Sequence, residues 1–457
     1  MLRGMKISPV LCAAFLLAGS AAALPTAAPD ENWAQWRGPD GLGISAGTAY
    51  AEEWAPDKNI AWKTPIPGRG HSSPVVWGDR VFLTTSIEGK PAPPDHKPPI
   101  HPDFSHNPGY LHPDSVGSNH LHTLKVLAFD AKTGRQLWEH TPYDGTMYDD
   151  RHRKNTYASP TMVTDGKLVY AFFESAGLYA YDANGKLAWK KSLGGIAKAG
   201  LGPGTSPIIF ENLLILQCDQ EMGKGSYIVA LDKSDGREVW RQERSTRRSW
   251  ATPLIVRAAN RVELIASGAE RVTAYDPKTG RELWYARGVR SHPIPSAVAT
   301  QGLVFLTAGS QAKVAFAVRP GADGDVTDTP SIVWRYTKGT AYVPSPIAFG
   351  KYLYLMTDKG LMTCLDALTG EVLYEGGRPP IPATFTASPV AYGERILITS
   401  EDGDTFVVKA GPTHEIIRTN SVGEPVYASL ALAGGTIYIR GEQHLFAVRP
   451  LTPAADK

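Results

Sequence analysis

The chain has 457 residues, of which 42% are hydrophobic and 20% charged, with 11 Trp and 19 Tyr. That composition supplies ample apolar surface for a folded core and excludes a disordered chain. The net charge of +2 carries no global signature of a nucleic-acid binder, and no apolar run reaches the roughly eighteen residues of a membrane-spanning helix.

The amino terminus reads Met-Leu-Arg-Gly-Met-Lys, followed by an apolar run from Val10 to Ala18 and small residues through Ala21, Ala22 and Ala23. This is the layout of a cleaved secretory signal over residues 1–23, with the mature chain beginning near Leu24. A lipid anchor needs a Cys after Leu17 to Gly19, and Ser20 stands there, so a soluble exported protein is expected, periplasmic or secreted. Cys12 leaves with the signal. Cys218 and Cys364 fall in different stretches of sequence and read as small buried strand residues.

Residues 24–58 read as an N-terminal extension, and residues 59–450 as one repeat array followed by a short tail, 451–457. The array opens with "NIAWK", Asn59 to Lys63, and then "SSPVVWGDRVFLTT". An insertion follows from Glu88 to His122, carrying eight Pro and six of the twelve His. His120 and His122 alternate at what reads as a strand start, so both rings are candidates for one metal; the competing reading is a Pro-stiffened lid or partner-binding loop with incidental His.

The next stretch, "DAKTGRQLW" from Asp130 to Trp138, returns as "DANGKLAW" ending at Trp189, "DKSDGREVW" at Trp240, "DPKTGRELW" at Trp284 and "DALTGEVLY" at Tyr374. Each unit also carries a Ser-Pro landmark or its variant, at Pro74, Pro160, Pro207, Pro253, Ala297, Pro346, Pro389 and Leu430; after the insertion-lengthened first interval the spacing stays between 41 and 49 residues. Four short β runs per unit at this period predict an all-β, eight-bladed β-propeller of four-stranded antiparallel blades. In the turn, Asp bonds amides ahead of it and Gly accepts a left-handed conformation. The aromatic then starts the outer strand and packs between blades, a structural role assigned to Trp62, Trp138, Trp189, Trp240, Trp284 and Trp334. The last repeat runs out after Pro450 without an outer strand, and Trp62 supplies one, so the two chain ends close the ring. Truncation before Ala61 is expected to open it.

The pattern Ala-x-Asp-x-x-Thr-Gly-x-x-x-Trp, intact at Ala128 to Trp138 and at Ala274 to Trp284, resembles the tryptophan-docking repeat of the pyrroloquinoline quinone (PQQ)-like eight-bladed propellers. The resemblance covers roughly Trp33 to Pro450. The opening "WAQWRGPDGLG" is similar to that of exported bacterial members of unassigned role. The family implies two classes of function: quinoprotein dehydrogenases, with PQQ and Ca²⁺, and a non-enzymatic subunit of the outer-membrane assembly machine.

Connections between blades and those joining second to third strands share one face, where the sequence is irregular and function is expected. The inter-blade connections are basic and the facing ones acidic. Candidate ligand-binding residues are Arg151, Arg153, Arg247, Arg248, Arg290, His292, Glu401 and Asp404, by bidentate Arg contacts to an anion or carboxylate contacts to a cation; the alternative is that these charges pair across the rim. An adjacent Cys pair, a "CxxCH" haem site and a recognisable calcium trio are all absent from the sequence. The sequence therefore reads as a monomeric, non-catalytic binding or interaction scaffold for an envelope protein, peptide or polysaccharide, with a PQQ/Ca²⁺-dependent dehydrogenase of alcohols or sugars as the alternative. No catalytic triad, phosphate loop or nucleic-acid motif is present.

Overall fold

Alternating apolar and polar residues build the same local unit eight times, and a computed structural model describes it for residues 32–99, 112–289, 292–309 and 313–451. Residues 1–31, His101, His106, Arg290 and the tail beyond Leu451 lie outside the described residues. The unit is an antiparallel meander. In blade 2 its strands are Val163–Thr164, Leu168–Phe172, Leu178–Asp182 and Leu187–Lys191, paired in that order. Eight such sheets make an eight-bladed β-propeller, the architecture expected from the repeat. The middle strands are mostly buried, as in Leu213–Cys218, whereas outer strands are mostly exposed, as in Glu238–Glu243. Two blades carry an added parallel strand: Gly324–Asp325 beside Glu282–Arg287, and Ile44–Ser45 beside Val390–Tyr392.

The repeated turn has a tertiary reason as well as a local one. The Trp62, Trp138, Trp189, Trp240 and Trp334 indoles each donate Nε1–H to a backbone carbonyl of the next blade, at Ala131, Ala183, Lys233, Pro277 and Ala367, over 3.0 to 3.1 Å. The turn glycine lies under that same indole. At Gly280, φ is +73°, and an added Cβ would sit 2.5 Å from the Trp240 ring, so the position is closed to other residues by backbone and by packing alike. Trp284 departs from the pattern, because the following unit lacks the turn; its Nε1–H donates to Glu263 at 2.7 Å instead.

The Ser-Pro landmark also acquires a role. At its position the Ser73 N–H donates to the Thr161 hydroxyl of the next blade, and the same link repeats through Ser206, Thr252, Ser296, Ser345, Ser388 and Ser429, at 2.8 to 3.1 Å. In blade 2 the sequence landmark is out of step by two residues: Thr161, not Ser159, occupies the ring, and the Ser159 hydroxyl bonds Asn155. The seam between blades 8 and 1 is closed differently. Ile60–Pro65 pairs antiparallel with His444–Val448 as the outer strand of blade 8. Buried Arg440 then donates to the Ser72 carbonyl and hydroxyl and to the Thr84 carbonyl of blade 1.

The N-terminal extension is part of the fold. Trp33 pairs with Val76 of blade 1, Arg37 donates to the carbonyls of Pro346 and Pro389 on blades 6 and 7, and Ile44 joins blade 7. The segment therefore spans the channel on the face of the short first-to-second strand hairpins, opposite the irregular face where the sequence places function. Cys218 and Cys364 are buried and unbridged. No helix among the described residues is long and apolar enough to cross a membrane.

Candidate functional site

Extended backbone places alternate side chains on one side, so the residue two before each ring hydroxyl faces the channel. Those residues are large at His71, Trp250, Ile294, Val343 and Tyr427, and small at Ser159, Gly204 and Thr386. Together they wall a cavity of about 660 Å³ on the irregular face, contributed by all eight blades and floored by Trp36. Trp36 also borders a second cavity of about 650 Å³ on the hairpin face, between the N-terminal segment and blades 3 to 5.

The wall is aromatic and basic. His71 stacks on Tyr427 with ring centres 4.8 Å apart, and His292 accompanies Trp250 at 5.7 Å. Burial, then the charges of Arg440, Arg69 and Arg151, push the His71 ring down to about 3. Burial and the neighbouring Arg248 push His292 down to about 4. Both rings are neutral near pH 7, and Arg248 Nη2 lies 2.8 Å from His292 Nε2, which accepts its N–H.

Of the residues singled out in sequence, Arg248, His292 and Glu401 line the cavity. Arg151, Arg153, Arg247 and Asp404 do not line it. Arg151 is buried, 3.5 Å from Glu88; Arg153 is 2.6 Å from Asp114; Arg247 is 3.5 Å from Glu270. Arg248 itself lies 3.7 Å from Glu221, and Lys154 is 2.9 Å from Glu401. Pairing across the rim, the alternative reading of these charges, therefore describes Arg151, Arg153, Arg247, Arg248 and Glu401. Asp404 begins the strand Asp404–Lys409 of blade 7, paired with Ser421, and does not line the cavity. Burial opposes ionisation of Glu401, but the Lys154 ammonium and the Thr386 hydroxyl outweigh it and hold the carboxyl below its ordinary range.

His120 and His122 have separate partners. The His122 ring is buried with Nδ1 3.2 Å from the Ser86 hydroxyl and Nε2 2.9 Å from the Gly117 carbonyl, so both nitrogens are engaged. His120 is half-exposed beside Asn119 and Glu88. Sequence reasoning missed Trp250, Tyr342, Phe385 and Tyr427. The signal for two of them was present as the position two before the ring hydroxyl, but it becomes readable only once the ring is known.

No curated protein matches the chain. Among solved structures, it is similar to BamB from Moraxella catarrhalis (16% identity, 82% of this chain and 100% of that one, TM-score 0.54). It is also similar to the quinohemoprotein alcohol dehydrogenase from Comamonas testosteroni (12% identity, 95% and 83%, TM-score 0.61) and to a europium-containing methanol dehydrogenase (12%, 91% and 91%, TM-score 0.56). Identities this low carry the fold alone. The family model described as outer membrane protein assembly factor BamB matches residues 122–375 and 269–452, more than half of the chain, and the protein belongs to that family.

Proposed function

We propose that this chain is an exported, non-catalytic propeller of the bacterial envelope that binds a segment of a protein partner in the mouth cavity. The observation that carries this reading is a 660 Å³ aromatic and polar cavity whose carboxylates are largely committed to protein cations. Aromatic rings with a few polar groups suit an extended peptide, in which side chains and amides supply both kinds of contact. Membership of the assembly-factor family supports a protein partner over a polysaccharide.

The dehydrogenase reading requires a resident Ca²⁺, a hard cation that takes six to eight oxygen ligands. The residues present do not fit it. Glu401 is held by Lys154 and Thr386, Glu221 lies beside Arg248, and Asp358 is the remaining carboxylate on the cavity wall.

The test is a titration of mature protein with PQQ and Ca²⁺, read as melting temperature and as dye reduction with alcohols and sugars, since a ligand of the folded state raises the melting point. Neither is expected to change. In parallel, a photo-crosslinking residue at Tyr342, inside the mouth, is expected to capture an envelope protein in cells, whereas one at exposed Val239 on an outer strand is not. Stabilisation by PQQ with turnover would overturn the proposal, as would equal crosslinking at both positions.

A further inference from the structure

The described residues contain a group of metal-ligating side chains that the binding reading leaves unused. His112, Asp114 and His152 bring their ligand atoms within 4.8 Å of one another. They meet because the returning arm of the insertion forms a two-stranded ribbon with the connection between blades 1 and 2, Ser115 opposite His152 and Val116 opposite Arg151. The Arg153 N–H also donates to the Asp114 carbonyl at 2.7 Å, which fixes the two segments in register.

The spacing suits a small ion. His152 Nε2 stands 3.4 Å from Asp114 Oδ2, which is the edge of a tetrahedron whose ligands lie about 2.1 Å from its centre. The other carboxylate oxygen, Oδ1, accepts Arg153 Nε–H at 2.6 Å, so one oxygen is anchored and the other faces the rings. Such outer contacts orient a ligating carboxylate.

We propose that His112, Asp114 and His152 bind a divalent transition ion of the zinc class, tying the insertion to the rim of the mouth. Two imidazoles and one carboxylate suit zinc, whereas calcium and magnesium prefer oxygen alone. His112 and His152 also line the central cavity.

The metal-free chain is set for a tautomer change on loading. Nδ1 of His112 accepts the Asp114 N–H and Nδ1 of His152 accepts the Lys154 N–H, both at 3.1 Å, so each neutral ring carries its proton on Nε2. Coordination through Nε2 would require that proton to move to Nδ1 and each ring to part from its amide.

The experiment is calorimetric titration of tag-free, chelator-treated mature protein with Zn²⁺ at pH 7.5. One ion per chain is expected, with a higher melting temperature and a switch of the His112 and His152 ring nitrogen signals by NMR. His152→Ala and Asp114→Asn are each expected to weaken binding at least tenfold with the circular dichroism spectrum unchanged, and His112→Ala serves if either fails to fold. The double variant His101→Ala/His106→Ala, elsewhere in the insertion, is expected to bind as the wild type does. Absence of binding, equal binding by the ligand variants, or loss confined to the double variant would each overturn the proposal.

Discussion

At the scale of single residues, the hydroxyl ring separates chemically identical side chains by what they bond. The Ser345 hydroxyl accepts the buried Ser296 N–H at 3.0 Å, whereas the Ser73 hydroxyl has no partner among the described residues. Ser345→Ala leaves a buried donor unsatisfied and should cost about 1–2 kcal/mol, while Ser73→Ala should be close to neutral. Urea midpoints of the two variants check this, and equal losses would contradict it. His292 offers a second residue-scale test. Its ring is held at about 4, against an ordinary value of 6.5, by burial and by Arg248. As pH falls through about 6.5 the unfolded chain takes up a proton that the folded chain refuses until about pH 4, so stability from this group is lost across that window and levels below it. His292→Gln removes the effect. The melting temperature of the variant should therefore rise relative to wild type between pH 7 and pH 4, and a constant difference would refute the assignment.

At the scale of elements, the repeat was legible because it has a local cause. Asp130 accepts the Thr133 N–H at 2.8 Å, and Gly134 follows at φ +72°, so the turn writes itself into sequence wherever it occurs. The N-terminal segment has no such signature. Its Trp33, Tyr50 and Trp54 are buried, Tyr50 against Tyr392 and Trp54 bonded to Asn420, and Arg37 bonds carbonyls 309 and 352 residues distant. A chain starting at Ala61 keeps most of the closing strand but loses this segment. With three large aromatics worth about 1.5–3 kcal/mol each, it should unfold with at least about 4.5 kcal/mol less stability than the chain starting at Leu24. Unchanged thermal unfolding would show that the segment merely decorates the surface. The loss expected from this truncation is thus assigned to the channel-spanning segment as well as to the ring seam.

At the scale of the whole molecule, closure rests on Ile60–Pro65 completing blade 8. A chain starting at Ile66 loses that strand together with the Trp62 bond to Ala131. His444–Val448 then becomes an open edge with unpaired backbone groups, which templates association. That chain should aggregate by light scattering under conditions where the chain from Ala61 remains monodisperse; two equally soluble chains would mean the seam is held elsewhere, Arg440 being the first alternative. The site depends on the same closure, since its wall takes residues from every blade.

By itself the sequence determined the blade number, the strand order, the turn chemistry and the face on which irregular, charged connections gather, because each is written within some fifty consecutive residues. Only the tertiary structure decided which of those charges pair, that Trp36 floors the channel, that His122 is sealed by Ser86 and Gly117, and that His112 and Asp114 meet His152. Those outcomes depend on which side chains blade packing and the fold of the insertion bring together, and no single turn or strand pattern records that.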